Sequence, residues 1–211
     1  MTRNQYIEQI RRLIYGNQPT DDATISVNLV NIWLEQAIAY AAKKNYTDAF
    51  QLDGVGYVNN SFYTKFTGLT ITNDSQFTWK ITLPQVPVGI GAIEGISTLR
   101  IKYDNIYVSQ AVVWLTANQN TFFENMRPIQ NKILATYLGN AVYVTSTLLL
   151  DLYDAECTII SGGDSTNLDS TINVPSDYII LISEYLKTQL MFERSVPVDT
   201  QNDAVDAIKT T

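Results

Sequence analysis

Apolar side chains recur with two different periods along this chain. Tyr6, Ile10, Leu13 and Ile14 fall at helical spacing, as do Val27, Val30, Trp33, Leu34, Ala37, Ile38 and Ala41. Thr2 with Gln5 forms a capping box that opens the first helix, and Gly16 supplies its stop. Ser26 can cap the second helix, which the pattern carries to about Lys44. Lys43 and Lys44 then sit in its last turn, where cations favour the helix dipole. Between the two helices, residues 17–24 read as a polar loop containing Pro19.

From Asn45 the period drops towards two. Phe62 to Ile71 alternates as a strand, Asn73-Asp74-Ser75 reads as a turn, and Phe77 to Leu83 returns. Pro84 and Pro87 exclude a central strand there, and Gly89 to Ala92 is a loop. Ile96 to Tyr103 and Ile106 to Thr116 read as two strands about a tight Asp104-Asn105 turn. Asn118 to Met126 is a short helix or an ordered loop. Lys132–Leu138 and Ala141–Thr145 pair across Gly139-Asn140, with glycine where a type II′ turn needs it. Asp151 to Ile160 is one more strand, and a polar loop from Gly162 to Ser170 follows.

The helical period returns at the C-terminal end. Pro175 suits a first helical position, and Ser176 and Asp177 complement a helix N-terminus. Tyr178, Ile182, Tyr185, Leu186 and Leu190 form the apolar stripe, and Pro197 ends it. Helices segregated from strands indicate an α+β fold, with an N-terminal helical pair and a C-terminal helix around an antiparallel β-sandwich-like domain. The expected units are residues 1–50, helical; 51–170, β-rich; and 171–211, a helix and tail that pack with the first.

Composition narrows the chemistry. The 211 residues carry a net charge of −7 and no segment is basic, which argues against binding to a phosphate backbone. Residues 133–150 are uncharged, but Gly139-Asn140 and several threonines break them into a hairpin rather than a membrane span. The N-terminus lacks the apolar run of a signal peptide. Histidine is absent, which removes imidazole-activated nucleophiles and H-E-x-x-H zinc sites. Cys157 stands alone in an alternating strand and reads as a small buried hydrophobe. Gly89, Gly91 and Gly95 lack the spacing and the lysine of a phosphate loop. The Asp164–Asp169 loop lacks the glycine and distal glutamate of an EF-hand. Asp151, Asp154 and Glu156 are the only paired carboxylates worth weighing for hydrolysis, and edge-strand solubility explains them as well. The expectation is therefore no enzyme, no metal and no cofactor.

Thirteen tyrosines, seven phenylalanines and three tryptophans supply both core and interface material. Tyr57, Phe62, Tyr63, Tyr103, Tyr107 and Tyr143 are interface candidates in the β-region. The helical ends carry a family resemblance. Val174-Pro175-Ser176-Asp177-Tyr178, a helix with a Tyr185-Leu186 pair, and then Pro197, Asp199, Asn202 and Asp203 resemble the C-terminal segment of head-to-tail connector proteins of short-tailed, crAss-like bacteriophages. The run from Arg3 to Gly16, the Pro19–Asp22 loop, and a helix reaching Lys43-Lys44-Asn45-Tyr46-Thr47-Asp48 resemble the opening of such ring subunits. The two blocks cover about a third of the chain.

The resemblance implies a virion structural protein at the head–tail junction, assembled in the host cytoplasm. It implies a homo-oligomeric, commonly dodecameric, ring that touches the portal and neighbouring tail proteins. Such a ring continues the channel for genomic DNA without sequence-specific contacts and meets no membrane. Trp33, Ala37, Ala41, Tyr178, Tyr185, Phe192, Pro197, Asp199, Asn202 and Asp203 are the interface candidates. Two other readings stay open: a β-sandwich binding module of a tail fibre or baseplate, and a hydrolase using the acidic residues.

Overall fold

Helix α1 (Arg3–Ile14) opens on a reciprocal cap. The Thr2 amide donates to Gln5 Oε1 at 3.0 Å, and the Gln5 amide donates to Thr2 Oγ1 at 3.3 Å. Ser26 caps α2 (Val27–Asp53) by accepting from the Leu29 amide at 3.2 Å. The computed structural model describes residues 1–14, 26–75, 77–90, 95–115 and 132–195, and within them three helices and eight strands make an α+β fold.

Helix α2 corrects the expected end at Lys44, and with it the period change at Asn45. Residues 45–53 continue the helix, because no glycine or proline intervenes before Gly54. Ala49 is buried, Tyr46 packs on the core, and Lys44 pairs with Asp48 one turn on. Gly54 stops the helix in the left-handed region at φ 72°, and its amide donates to the Phe50 carbonyl.

The strands are β1 (Tyr63–Ser75), β2 (Thr78–Thr82), β3 (Ile96–Tyr103), β4 (Ile106–Tyr107), β5 (Ala111–Trp114), β6 (Lys132–Leu138), β7 (Ala141–Thr145) and β8 (Asp154–Ile160). The Asn73–Ser75 turn is corrected: β1 runs on to Ser75, which pairs with Thr78. Asp104 and Asn105 both take positive φ, as the tight β3–β4 turn requires. Gly139 alone takes positive φ in the β6–β7 turn, as expected of type II′. The last strand begins at Asp154, because Leu150–Leu152 form a 3-10 turn. The segment Asn118–Met126 lies outside the described residues.

Strand order is β4-β3-β8-β1-β2-β7-β6-β5 in one sheet. The single strand expected from Ile106 to Thr116 is two strands, and they lie at opposite edges of that sheet. Only Val108, Ser109 and Gln110 join them. Four residue steps span about 14 Å at most. The edges of a flat eight-stranded sheet would stand about 33 Å apart. The sheet therefore curls until its two edges lie near each other. A bulge between Phe66 and Leu69 helps, since β1 pairs with β8 up to Thr70 and with β2 from Ile71. The expected antiparallel sandwich thus takes the form of one curled sheet, and β5 runs parallel to β6. Leu69, Trp79, Leu99, Ile133, Val144 and Cys157 share the core inside the curl. Burying each large side chain there contributes about 1.5–3 kcal/mol.

Between the edges of β3 and β5 the described residues line a cleft of about 510 Å³, the seam of the curl.

Helix α3 (Ser176–Ser195) returns to α1 and α2. It begins at Ser176, one residue after the Pro175 expected at its first position. The Pro175 carbonyl accepts from the Tyr178 amide, and Ser176 donates to Asp177 rather than capping an amide. Ile7, Ile10, Val30, Leu34, Ile38, Ile182, Leu186 and Leu190 form a second core, which Phe62, in the 3-10 turn before β1, and Ile160 of β8 join.

Candidate interface surfaces

The helical layer decides which side chains a neighbour could touch. Trp33, Ala37 and Ala41 are buried in the chain's own core against α1 and α3, so the close approach the alanines permit is made within the chain. Tyr178 is half-buried. Its hydroxyl accepts from Asn45 Nδ2 and donates to Asp48 Oδ2, both at 3.1 Å, and its ring meets Phe62 edge-on. Tyr185, also half-buried, stacks on Tyr40 at 5.9 Å across the α2–α3 seam. Phe192 is 68% exposed. Pro197, Asp199, Asn202 and Asp203 lie outside the described residues.

Four further residues face solvent on the same layer: Ile32 and Tyr40 on α2, and Ile180 and Met191 on α3, each 49–71% exposed. Spacings of eight and eleven residues place each pair on one helical side. Period reasoning passed over them because it follows the buried stripe. The available signal was an apolar residue standing outside that stripe. Phe50, Leu52, Val55 and Tyr57 form a second exposed apolar cluster, where α2 ends.

The helical core is tied to the loop before α3 by Arg3. Its side chain is fully buried and donates to Asn31 Oδ1 at 3.1 Å, with Glu35 Oε1 at 3.9 Å. Its backbone amide holds the Ser170 carbonyl, and Asn31 holds that of Ser165. Burial lowers the pKa of the guanidinium, against the pull of Glu35 and Asp164.

In the β-region, Tyr57, Tyr103 and Tyr107 are exposed, Tyr63 and Tyr143 are half-buried, and Phe62 is buried in the helical core. Of the three carboxylates weighed for hydrolysis, Asp151 and Glu156 have separate partners. Asp151 accepts from Trp79 Nε1 at 3.2 Å. Glu156 lies 2.8 Å from Lys65 Nζ and 3.2 Å from Lys102 Nζ, and it accepts from the Tyr107 hydroxyl at 3.0 Å. Those bonds, Lys65 first, outweigh burial and hold its carboxyl at about 2. A group so held carries no proton to donate near neutrality. Asp154 is exposed at the start of β8. Arg100 covers the Tyr107 ring at 5.5 Å, and across β3 and β8 it stands in register with Glu156 as Lys102 does with Asp154.

Cys157 is fully buried, and burial pushes its thiol up to about 12. In the Asp164–Asp169 loop the side-chain oxygens accept from the chain's own groups. Asp164 Oδ1 takes the Thr166 amide and hydroxyl, and Asn167 Oδ1 takes the Asp169 amide. Among the described residues no helix is long and apolar enough to cross a membrane. No family model matches the chain, and no curated protein matches it.

Proposed function

We propose that this chain is a structural subunit of a ring in the head-to-tail connector of a short-tailed bacteriophage. The ring joins portal to tail and continues the DNA channel. The observation that carries the reading is the helical layer. It is built from the two ends of the chain that resemble connector subunits, and it turns Ile32, Tyr40, Ile180 and Met191 to solvent. Exposed apolar side chains gathered on one layer mark a surface that a partner covers. Repeated copies related by a closing rotation, commonly twelve in such rings, make that partner another subunit. The net charge of −7 lets passing DNA slide without adhering, because phosphates are repelled where cations are scarce. The curled β-unit then sits beside the ring contacts and meets the next component of the stack.

The test is the mass of the purified full chain in solution, with electron microscopy of the same sample. The expected result is closed rings that the Ile180→Asp, Met191→Asp double variant reduces to folded monomers. A wild-type chain that stays monomeric and is absent from purified virions overturns the proposal.

A further inference from the structure

The seam of the curled sheet is bounded by two strand edges that face each other. On the β5 side, the Leu115 amide donates to the Ala135 carbonyl of β6. Backbone groups of a strand alternate with period two, so those of Val113 also point to β6, while those of Val112 and Trp114 point into the seam. On the β3 side, the Ile101 carbonyl accepts from the Val108 amide, away from β8. By the same period the groups of Leu99 face the seam. Strand β4 pairs only with Lys102 and Tyr103, and among the described residues the rest of that edge has no strand partner.

The floor of the cleft is apolar: Leu99, Ile101 and Ile133 lie at its base, and Val112 and Trp114 are only partly covered. Gln110 Oε1 is buried there without a hydrogen-bond partner. Such a site fits an extended peptide. Its main chain would bond to both edges, its alternate side chains would cover the floor, and the curl would close. The rim adds a sign. Arg100 is the charged side chain lining the cleft, while on the adjoining outer face Lys102 and Lys65 stand with Glu156 between them and Asp154 across from Lys102.

We infer that the seam between β3 and β5 receives the C-terminal segment Val196–Thr211 of a neighbouring copy as an added β-strand. This rests on the ring reading above, and it names the surface on which that segment docks. The segment follows α3 directly. It has three aspartates against one lysine, no glycine, and its single proline at its start. Opposite charge on the rim and the absence of interior strand-breakers both favour this occupant. Sixteen residues extended reach about 50 Å, enough to cross to a neighbour. A tail on one surface and a groove on another make a heterologous contact, which propagates from copy to copy and closes into a ring.

The test uses two full-length proteins with one added cysteine each, Thr98→Cys at the seam and Val205→Cys in the tail, mixed and mildly oxidised. Thr98 is exposed, and native Cys157 is buried and does not compete. A disulfide between the two chains should form about tenfold more than with the exposed β2 control Thr82→Cys, because docking raises the effective concentration. An excess of synthetic peptide 196–211 should suppress it. A cross-link that appears only when one chain carries both cysteines overturns the inference, since the tail then fills its own seam. No enrichment over the control also overturns it, even where microscopy still shows rings and the proposed function stands. Enrichment in a sample without rings supports the docking and counts against the ring reading.

Discussion

Glu156 lies between Lys65 and Lys102, with Arg100 across from it in register, and it forms an ion pair with each lysine. Its carboxyl titrates near 2 in the folded chain, against an ordinary 4.5. The unfolded chain therefore takes up this proton first as pH falls. The stabilisation is complete above about pH 4.5 and fades as pH approaches 2. Thermal melts of the wild type and of Glu156→Gln should differ most near neutrality, with the variant less stable, and should converge towards pH 2. Parallel curves across that range would mean that Lys65, Tyr107 and Lys102 do not act on this group. Cys157 carries the opposite lesson at the same scale. Alternation marked it as buried, and burial raises its thiol out of reach of thiolate chemistry at neutral pH. Trp33, Ala37 and Ala41 were harder to place, because a core residue and an interface anchor have the same hydrophobic signature. Only the packing of α1 and α3 against α2 tells them apart.

Among the elements, those governed by local chemistry were legible in the sequence. The Thr2–Gln5 box, the Ser26 cap, strand β3 and the β6–β7 hairpin are set by residues within a few positions of one another. The end of α2 was not, since Asn45, Tyr46 and Thr47 are weak helix formers held helical by the burial of Tyr46 and Ala49. The division of β4 from β5 was also hidden, because it depends on the curvature of the whole sheet. Two glycines separate backbone conformation from packing. Gly54 caps α2 at φ 72° with open space where a Cβ would stand, so Gly54→Ala should cost about 1 kcal/mol. Gly162 sits at φ 64° with Ile38 Cγ2 in clashing distance of where a Cβ would stand, so Gly162→Ala should cost about 1–3 kcal/mol more from overpacking. Urea titrations with unchanged slope measure both. Equal losses would show that the contact between the helical layer and the loop after β8 relaxes freely.

At the scale of the molecule, two cores meet along one boundary. Ile159 packs inside the curl and Ile160 packs under the helices, and Phe62 joins the helical core immediately before β1 begins. Alternation along β8 thus sends successive side chains into different cores. The chain crosses between the two parts twice, once from Gly54 to Asn59 and once through the loop from Gly162 to Val174. The second crossing is fastened: the Asn173 amide holds the Gly162 carbonyl, the Thr64 hydroxyl accepts from the Gly163 amide, and Gln85 binds Ser165. The first has fewer ties, mainly Asn59 to Asn45 and Tyr57 to Asp53. Protease access follows local opening, and opening is easiest where backbone bonds are few and exposed. If the β-rich part is an independent unit, limited proteolysis should cut first at residues 54–58, while 45–53 stay protected in α2, and then at 162–173. A folded β-rich fragment should survive, identified by mass and by its circular dichroism. Fragmentation throughout β1 and β8 at the same rate as in the loops would instead show that Phe62 and Ile160 bind the two cores into one cooperative unit. The helical layer and the curled sheet could then not be separated in any truncated protein.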